Sequence, residues 1–231
     1  MNANSLLDQL LKTGAAALGN ATQAASSPDG RKYATGAAVG GVLGLLLGSR
    51  SGRRLGGSAI KLGSVAALGM LAWKTYNDWQ AQQAQAGAAG AGGEVGAGAK
   101  GAPAQSAPPA LPAPQADAHG RALLKAMIAA AKSDGHLDER ERELVQAELR
   151  RTDAGAELSH WVQVELQQPL NAAAVAAQAT GPEMAAEIYL ASVLVVDETS
   201  AVERAYLDQL AQALRLAPSL QADLEARARA A

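Results

Sequence analysis

The chain has 231 residues, no cysteine, no phenylalanine and a formal net charge of −2. Without cysteine, disulfides, thiolate catalysis and sulfur-ligated zinc are excluded, and a composition rich in Ala and Leu with few aromatics does not supply a β-sandwich core. The charge is unevenly spread: residues 1–80 carry eight Lys or Arg against three acids, whereas residues 121–231 carry eleven against seventeen. This divides the chain into a basic half and an acidic half and predicts an all-α protein. The acidic half lacks the cationic stripe that phosphate neutralisation needs, so nucleic acid is not an expected partner.

Residues 1–32 open with Ser5 and Asp8 three apart and Leu6, Leu7, Leu10, Leu11 and Leu18, the pattern of a capped amphipathic helix whose apolar face suits either a membrane or the rest of the protein. The stretch MNANSLLDQLLKTG lacks a basic n-region and a long apolar run, so no cleavable signal peptide is expected. A turn composition follows at Ser26, Ser27, Pro28, Asp29 and Gly30.

Residues 33–80 hold two apolar runs. No charged side chain lies within residues 33–49, and only Lys61 within residues 55–73. Each is close to the lower limit of the roughly 17 to 25 residues that span a bilayer as a helix. Glycine recurs at Gly36, Gly40, Gly44, Gly48, Gly52 and Gly56, a spacing of four. Because four residues turn a helix through about 400°, this row drifts about 40° per step and makes a shallow spiral groove. In lipid, small residues in such a groove let two helices approach closely. The expectation is a membrane-associated helical hairpin, or association of two copies through the same row. Trp73, Tyr76 and Trp79 follow the second run and are candidates for a lipid interface. Arg50, Arg53 and Arg54 lie between the runs. A single span at 33–49 predicts a cytoplasmic C-terminal domain, a single span at 55–73 the opposite, and a hairpin puts both ends on one side. A cytoplasmic placement is the expectation adopted.

Residues 81–118 are Ala, Gly, Pro and Gln with almost no large apolar side chain, a linker composition whose first part can continue the preceding helix. From residue 119 the helical period returns through Leu123, Leu124, Met127 and Ile128, stopping near Gly135. Asp138 and Glu141 make a capping box for the next helix. Leu158, Trp161, Val162 and Leu166 mark another, Asn171 caps an alanine-rich one, and Gly181 with Pro182 opens the next. Residues 201–214 and 218–230 complete a bundle of about seven helices over residues 119–231.

The junctions MIAAAKSDGHLDERERELV and YLASVLVVDETSAVERAYLDQL share an apolar helix, an Asp, a short turn and an acid-base pair before the next helix, as an internal duplication would. Asp134, Asp138, Glu141, Asp197, Glu198 and Glu203 are the acids of these turns, and converging carboxylates can hold a hard divalent cation. An EF-hand is excluded: counting Asp134 as first, position six is Glu139 and position twelve is Val145. Against a cation stands helix capping by Asp138 and Glu141. His119, His136 and His160 are too scattered for a metal or catalytic cluster. No nucleophile elbow, P-loop or dinucleotide fingerprint occurs in a fitting setting, so no enzyme activity is expected.

The first junction and VVDETSAVERAYLDQLAQAL resemble the TerB-like superfamily, named for tellurite-resistance proteins. The whole order of Gly-rich apolar segment, low-complexity linker and helical domain resembles the uncharacterised YebE-like family of bacterial inner-membrane proteins. The resemblance is most specific over residues 121–216. It implies a TerB-like domain tethered to the bacterial inner membrane and no established activity; an interaction or sensing role in envelope or stress physiology with an unidentified protein partner is the expectation, and a divalent-cation site at the two acidic junctions, as proposed for TerB-like domains, is the alternative. Glu198 stands where the first junction has glycine, a departure from two equivalent loops.

Overall fold

The computed structural model describes residues 3–8, 65–90, 113–133, 155–196 and 200–230. Over these residues the chain is all-helical: α1 (3–8), α2 (Val65–Gly90), α3 (Ala113–Ala131), α4 (Ala156–Gln167), α5 (Ala172–Ala176), α6 (Pro182–Val193), α7 (Ala201–Ala213) and α8 (Pro218–Ala230).

The centre of the bundle is α6. Gly181 and Pro182 start it, proline occupying a first-turn position whose missing N–H costs nothing. Ala185, Ala186, Ile188, Tyr189, Leu190, Ala191 and Val193 are all buried along it. A helix apolar on every side needs neighbours on every side, and α2, α3, α7 and α8 pack around it.

Several starts and stops follow from local sequence. Asn171 accepts the Ala174 N–H at 3.1 Å and so begins α5. Ser200 accepts the Glu203 N–H at 3.4 Å and begins α7. The C-terminus of α7 closes with Leu216 N–H to Ala211 O and Arg215 N–H to Gln212 O, both 3.0 Å. This paired closure puts residue 215 in the left-handed region, at φ 57°.

Two elements expected outside the C-terminal domain belong to the bundle. In α1, Ala3, Leu6 and Leu7 are buried in the common core. In α2, Leu68, Ala72 and Tyr76 recur every fourth residue and are buried there as well. The expected second apolar run, 55–73, therefore ends in a helix that packs on α6 and α8. Gly69 allows that approach to α6: a Cβ there would lie 2.9 Å from Glu187 Oε1. The middle of α2 is fastened to α8 by Trp79 Nε1 donating to Ser219 Oγ at 2.8 Å and by Arg227 with Asp78 at 3.1 Å.

As the composition of residues 81–118 allows, the helix continues past residue 80 to Gly90, and α3 begins at Ala113, ahead of residue 119 where the apolar period of the sequence returns. Pro114 in its first turn needs no intrahelical donor, so the Pro-rich composition passes into helix there.

Candidate functional site

The C-terminal half of α3, the end of α4, the 168–171 turn and α5 enclose a cavity of about 180 Å³. Its floor is apolar: Ile128 and Val175 line it and are buried. Its rim is charged. Lys125 Nζ lies 3.1 Å from Glu165 Oε1, and Lys132 Nζ donates to Glu165 O at 3.2 Å and to Gln168 O. Lys132 thus sits on carbonyls at the C-terminus of α4, where a cation complements the helix dipole. Leu170 lines the same cavity yet remains 43% exposed. The arrangement can receive an apolar side chain and offer hydrogen-bonding groups at the mouth, the makeup of a small recognition cleft.

A second cluster joins α2, α3 and α6. His119 Nε2 lies 2.9 Å from Glu187 Oε2, with side-chain exposures of 19% and 9%. This is the nearest the described residues come to a buried acid-base pair. Beside it, Asp117 accepts the Ala3 N–H at 2.7 Å and pairs with Arg121 at 3.0 Å. The Ala3 hydrogen bond, opposed by partial burial and helped by Arg121, holds the Asp117 carboxyl below its ordinary range. Arg121 also reaches Glu157 at 2.8 Å and stands 5.7 Å over the Trp161 ring.

The sequence-predicted residues fall unevenly on this frame. Gly36, Gly40, Gly44, Gly48, Gly52 and Gly56 lie outside the described residues, as do Asp134, Asp138, Glu141, Asp197 and Glu198. Glu203, the remaining acid of the expected cation set, is 8% exposed in the first turn of α7. Among the described residues, no group of three or more His, Asp or Glu could hold a metal ion. Trp73 is half-buried. Tyr76 is buried and Trp79 packs partly against the core, their rings stacked with centroids 5.9 Å apart. These two aromatics, expected at a lipid boundary, thus lie against the bundle. Among the described residues, no helix is long and apolar enough to cross a membrane.

Sequence reasoning missed the cavity and the His119–Glu187 pair. Residues 119 and 187 are far apart in the chain, and neither sits in a local motif. The readable signal was Glu187 as the lone acid of the run MAAEIYLASVLVV, since a buried carboxylate requires a partner.

Comparison with known proteins assigns the chain to a family. Residues 32–228 match the family described as "Protein of unknown function (DUF533)". A Yersinia enterocolitica protein described as "Uncharacterized protein in ampR 5'region" is 30% identical over 109 residues, 47% of this chain and 78% of that protein. No solved structure gives a significant match. On a match that spans most of its length, the chain belongs to the DUF533 family, a TerB-like family of unknown function.

Proposed function

We propose that this is a non-enzymatic protein of the bacterial inner membrane whose TerB-like bundle is an interaction or sensing module facing the cytoplasm. The observation that carries the module is the cleft between α3, α4 and α5. Its apolar floor, charged rim and exposed Leu170 suit the docking of one apolar anchor residue from a partner. The membrane half rests on the sequence: residues 33–49 are uncharged, and Arg50, Arg53 and Arg54 follow them. The role in envelope or stress physiology rests on resemblance to TerB-like and YebE-like proteins.

Because α1 and α2 complete the core, the membrane half is tested in the full chain and not by truncation. Gly40→Asp with Gly44→Asp should release the protein from carbonate-washed membranes while leaving the thermal unfolding of the bundle unchanged. A wild-type chain found in the soluble fraction would remove the membrane half of the proposal. For the module, a photo-crosslinker at Leu170 should yield a discrete adduct in cells that disappears when Ala174→Trp fills the cavity. An adduct that survives the filled cavity would show that the cleft is not the contact.

A further inference from the structure

The rim of the cleft between α3, α4 and α5 has donors to spare and acceptors already in use. Lys125 Nζ meets Glu165 Oε1 at 3.1 Å, and the two side chains are 22% and 14% exposed. An ammonium carries three N–H donors, and Glu165 is the partner that Lys125 has among the described residues. Two of its donors are left for a group from outside the protein.

The nearby acceptors are engaged. Glu165 O receives both Lys132 Nζ and the Gln168 N–H at 3.2 Å, and Gln168 O receives Lys132 Nζ as well. Asn171 Oδ1 receives the Ala174 N–H at 3.1 Å, whereas its amide nitrogen has no protein partner among the described residues. The charged side chains that line the cleft, among the described residues, are two lysines and one glutamate. That balance is opposite in sign to the seventeen acids against eleven bases of residues 121–231. An anion is repelled by the domain at large and received at this place, and such contrast gives a binding site its specificity.

The floor sets what else the ligand carries. Ile128 and Val175 are apolar and buried, and the cavity is about 180 Å³. This is below the roughly 300 Å³ at which sites for drug-sized ligands begin, so the apolar part of the ligand and its anion have to lie close together. An aliphatic residue at the end of a polypeptide meets this condition, because its side chain and its carboxylate branch from one Cα. An internal acidic segment puts the carboxylate and the aliphatic anchor on different residues.

We infer that the cleft takes the C-terminal residue of a partner protein, an aliphatic residue whose side chain rests on Ile128 and Val175 and whose carboxylate is held by Lys125. The inference rests on the cleft being a docking site, as proposed above, and adds the chemistry of what docks.

Three acetylated peptides test it, titrated against the full chain and followed through the methyl NMR signals of Ile128 and Val175. They are Gly-Ser-Gly-Leu with a free carboxylate, the same peptide as its carboxamide, and Gly-Leu-Asp-Gly as its carboxamide. The free acid should bind at least tenfold tighter than either amide. Glu165→Gln removes the anion that competes for Lys125 and should tighten the free acid at least threefold while leaving the carboxamide of the same peptide unchanged, a gain that damage to the fold does not produce. Lys125→Met, shown by circular dichroism to keep its helices, should erase the preference. Equal binding of acid and amide overturns the inference and leaves the cleft as a docking site for apolar anchors. A Leu-Asp amide that matches the free acid overturns it in favour of an internal acidic segment. If none of the three peptides moves the two methyl signals, the docking site falls together with the inference.

Discussion

Tyr189 donates its phenolic hydrogen to Glu225 Oε1 at 2.7 Å across the interface of α6 and α8, with both residues buried. The same carboxylate oxygen is 2.9 Å from Arg204 and accepts from Gln221 at 3.3 Å. Arg204 in turn holds Asp208 at 2.7 Å. A carboxylate inside a helical core is tolerable because three donors from three helices converge on it. Tyr189→Phe removes one donor of the three and should cost about 1 kcal/mol in urea unfolding. Arg204→Met removes the balancing charge and should cost more, about 2 kcal/mol, since the guanidinium is one-third exposed and water screens part of the loss. Equal effects from the two would mean that the charge is not what stabilises the network.

The same tyrosine predicts an alkaline limit. Burial, then the hydrogen bond and the charge of Glu225, push the Tyr189 hydroxyl well above its ordinary range, and burial does the same to Tyr206. A raised folded-state value means that the unfolded chain loses these protons first. Their contribution to stability is complete below about pH 10 and declines as pH rises beyond it. Thermal midpoints should fall above about pH 10, and the fall should be shallower in a Tyr189→Phe, Tyr206→Phe double variant.

At the acid end, Asp117 provides a local counterpart. Its lowered folded-state value means that its contribution is present above the ordinary Asp range and is lost as pH drops through the lower folded value. Protection of the amides of residues 3–8, relative to their intrinsic exchange rates, should fall below about pH 4. In Asp117→Asn that fall should be absent, with α1 already less protected at neutral pH.

Arg215 occupies the left-handed position that ends α7, at φ 57°. A side chain there costs roughly 1 kcal/mol that glycine avoids. Arg215→Gly should therefore raise stability by about 1 kcal/mol, reduced somewhat by the greater freedom of glycine in the unfolded chain. Chemical denaturation of the full chain reads this directly, and a loss of stability would assign the arginine a contact worth more than its strain.

Leu68 is 2% exposed in the core that α2 shares with α6 and α8. Leu68→Ala in the full chain should cost about 3 kcal/mol, within the range for emptying a well-packed leucine site. If the region near residue 68 served only as a membrane segment, the bundle would melt unchanged.

Those last residues also show where sequence reading stops. The Asn171 cap and the Gly181–Pro182 start were legible because a cap is a contact within four residues of itself. Ser200 with Glu203 carried the same signal and begins α7, although as a sequence pattern it reads equally as part of an acidic turn. The placement of α2 was not legible. Leu68, Ala72 and Tyr76 make an apolar stripe that would suit lipid or a protein core alike, and periodicity does not name the neighbour. Glu187 is harder still, since its partner His119 belongs to another helix and only the fold brings them to 2.9 Å.

The bundle grips the chain twice, at residues 3–8 and again along α2, so residues 9–64 leave one body and come back to it. They are a handle whose two ends are fixed to the same cup. With both grips closed, a handle can dip into a surface and return, or pass through it an even number of times. An odd number of passes would leave α1 and the bundle on opposite sides. A single threading of the Gly40 and Gly44 region through a bilayer therefore requires α1 to leave the bundle first. The seat of α1, where Asp117 holds the Ala3 N–H, is in this sense a latch on topology: while it is shut, both roots of the handle share one side.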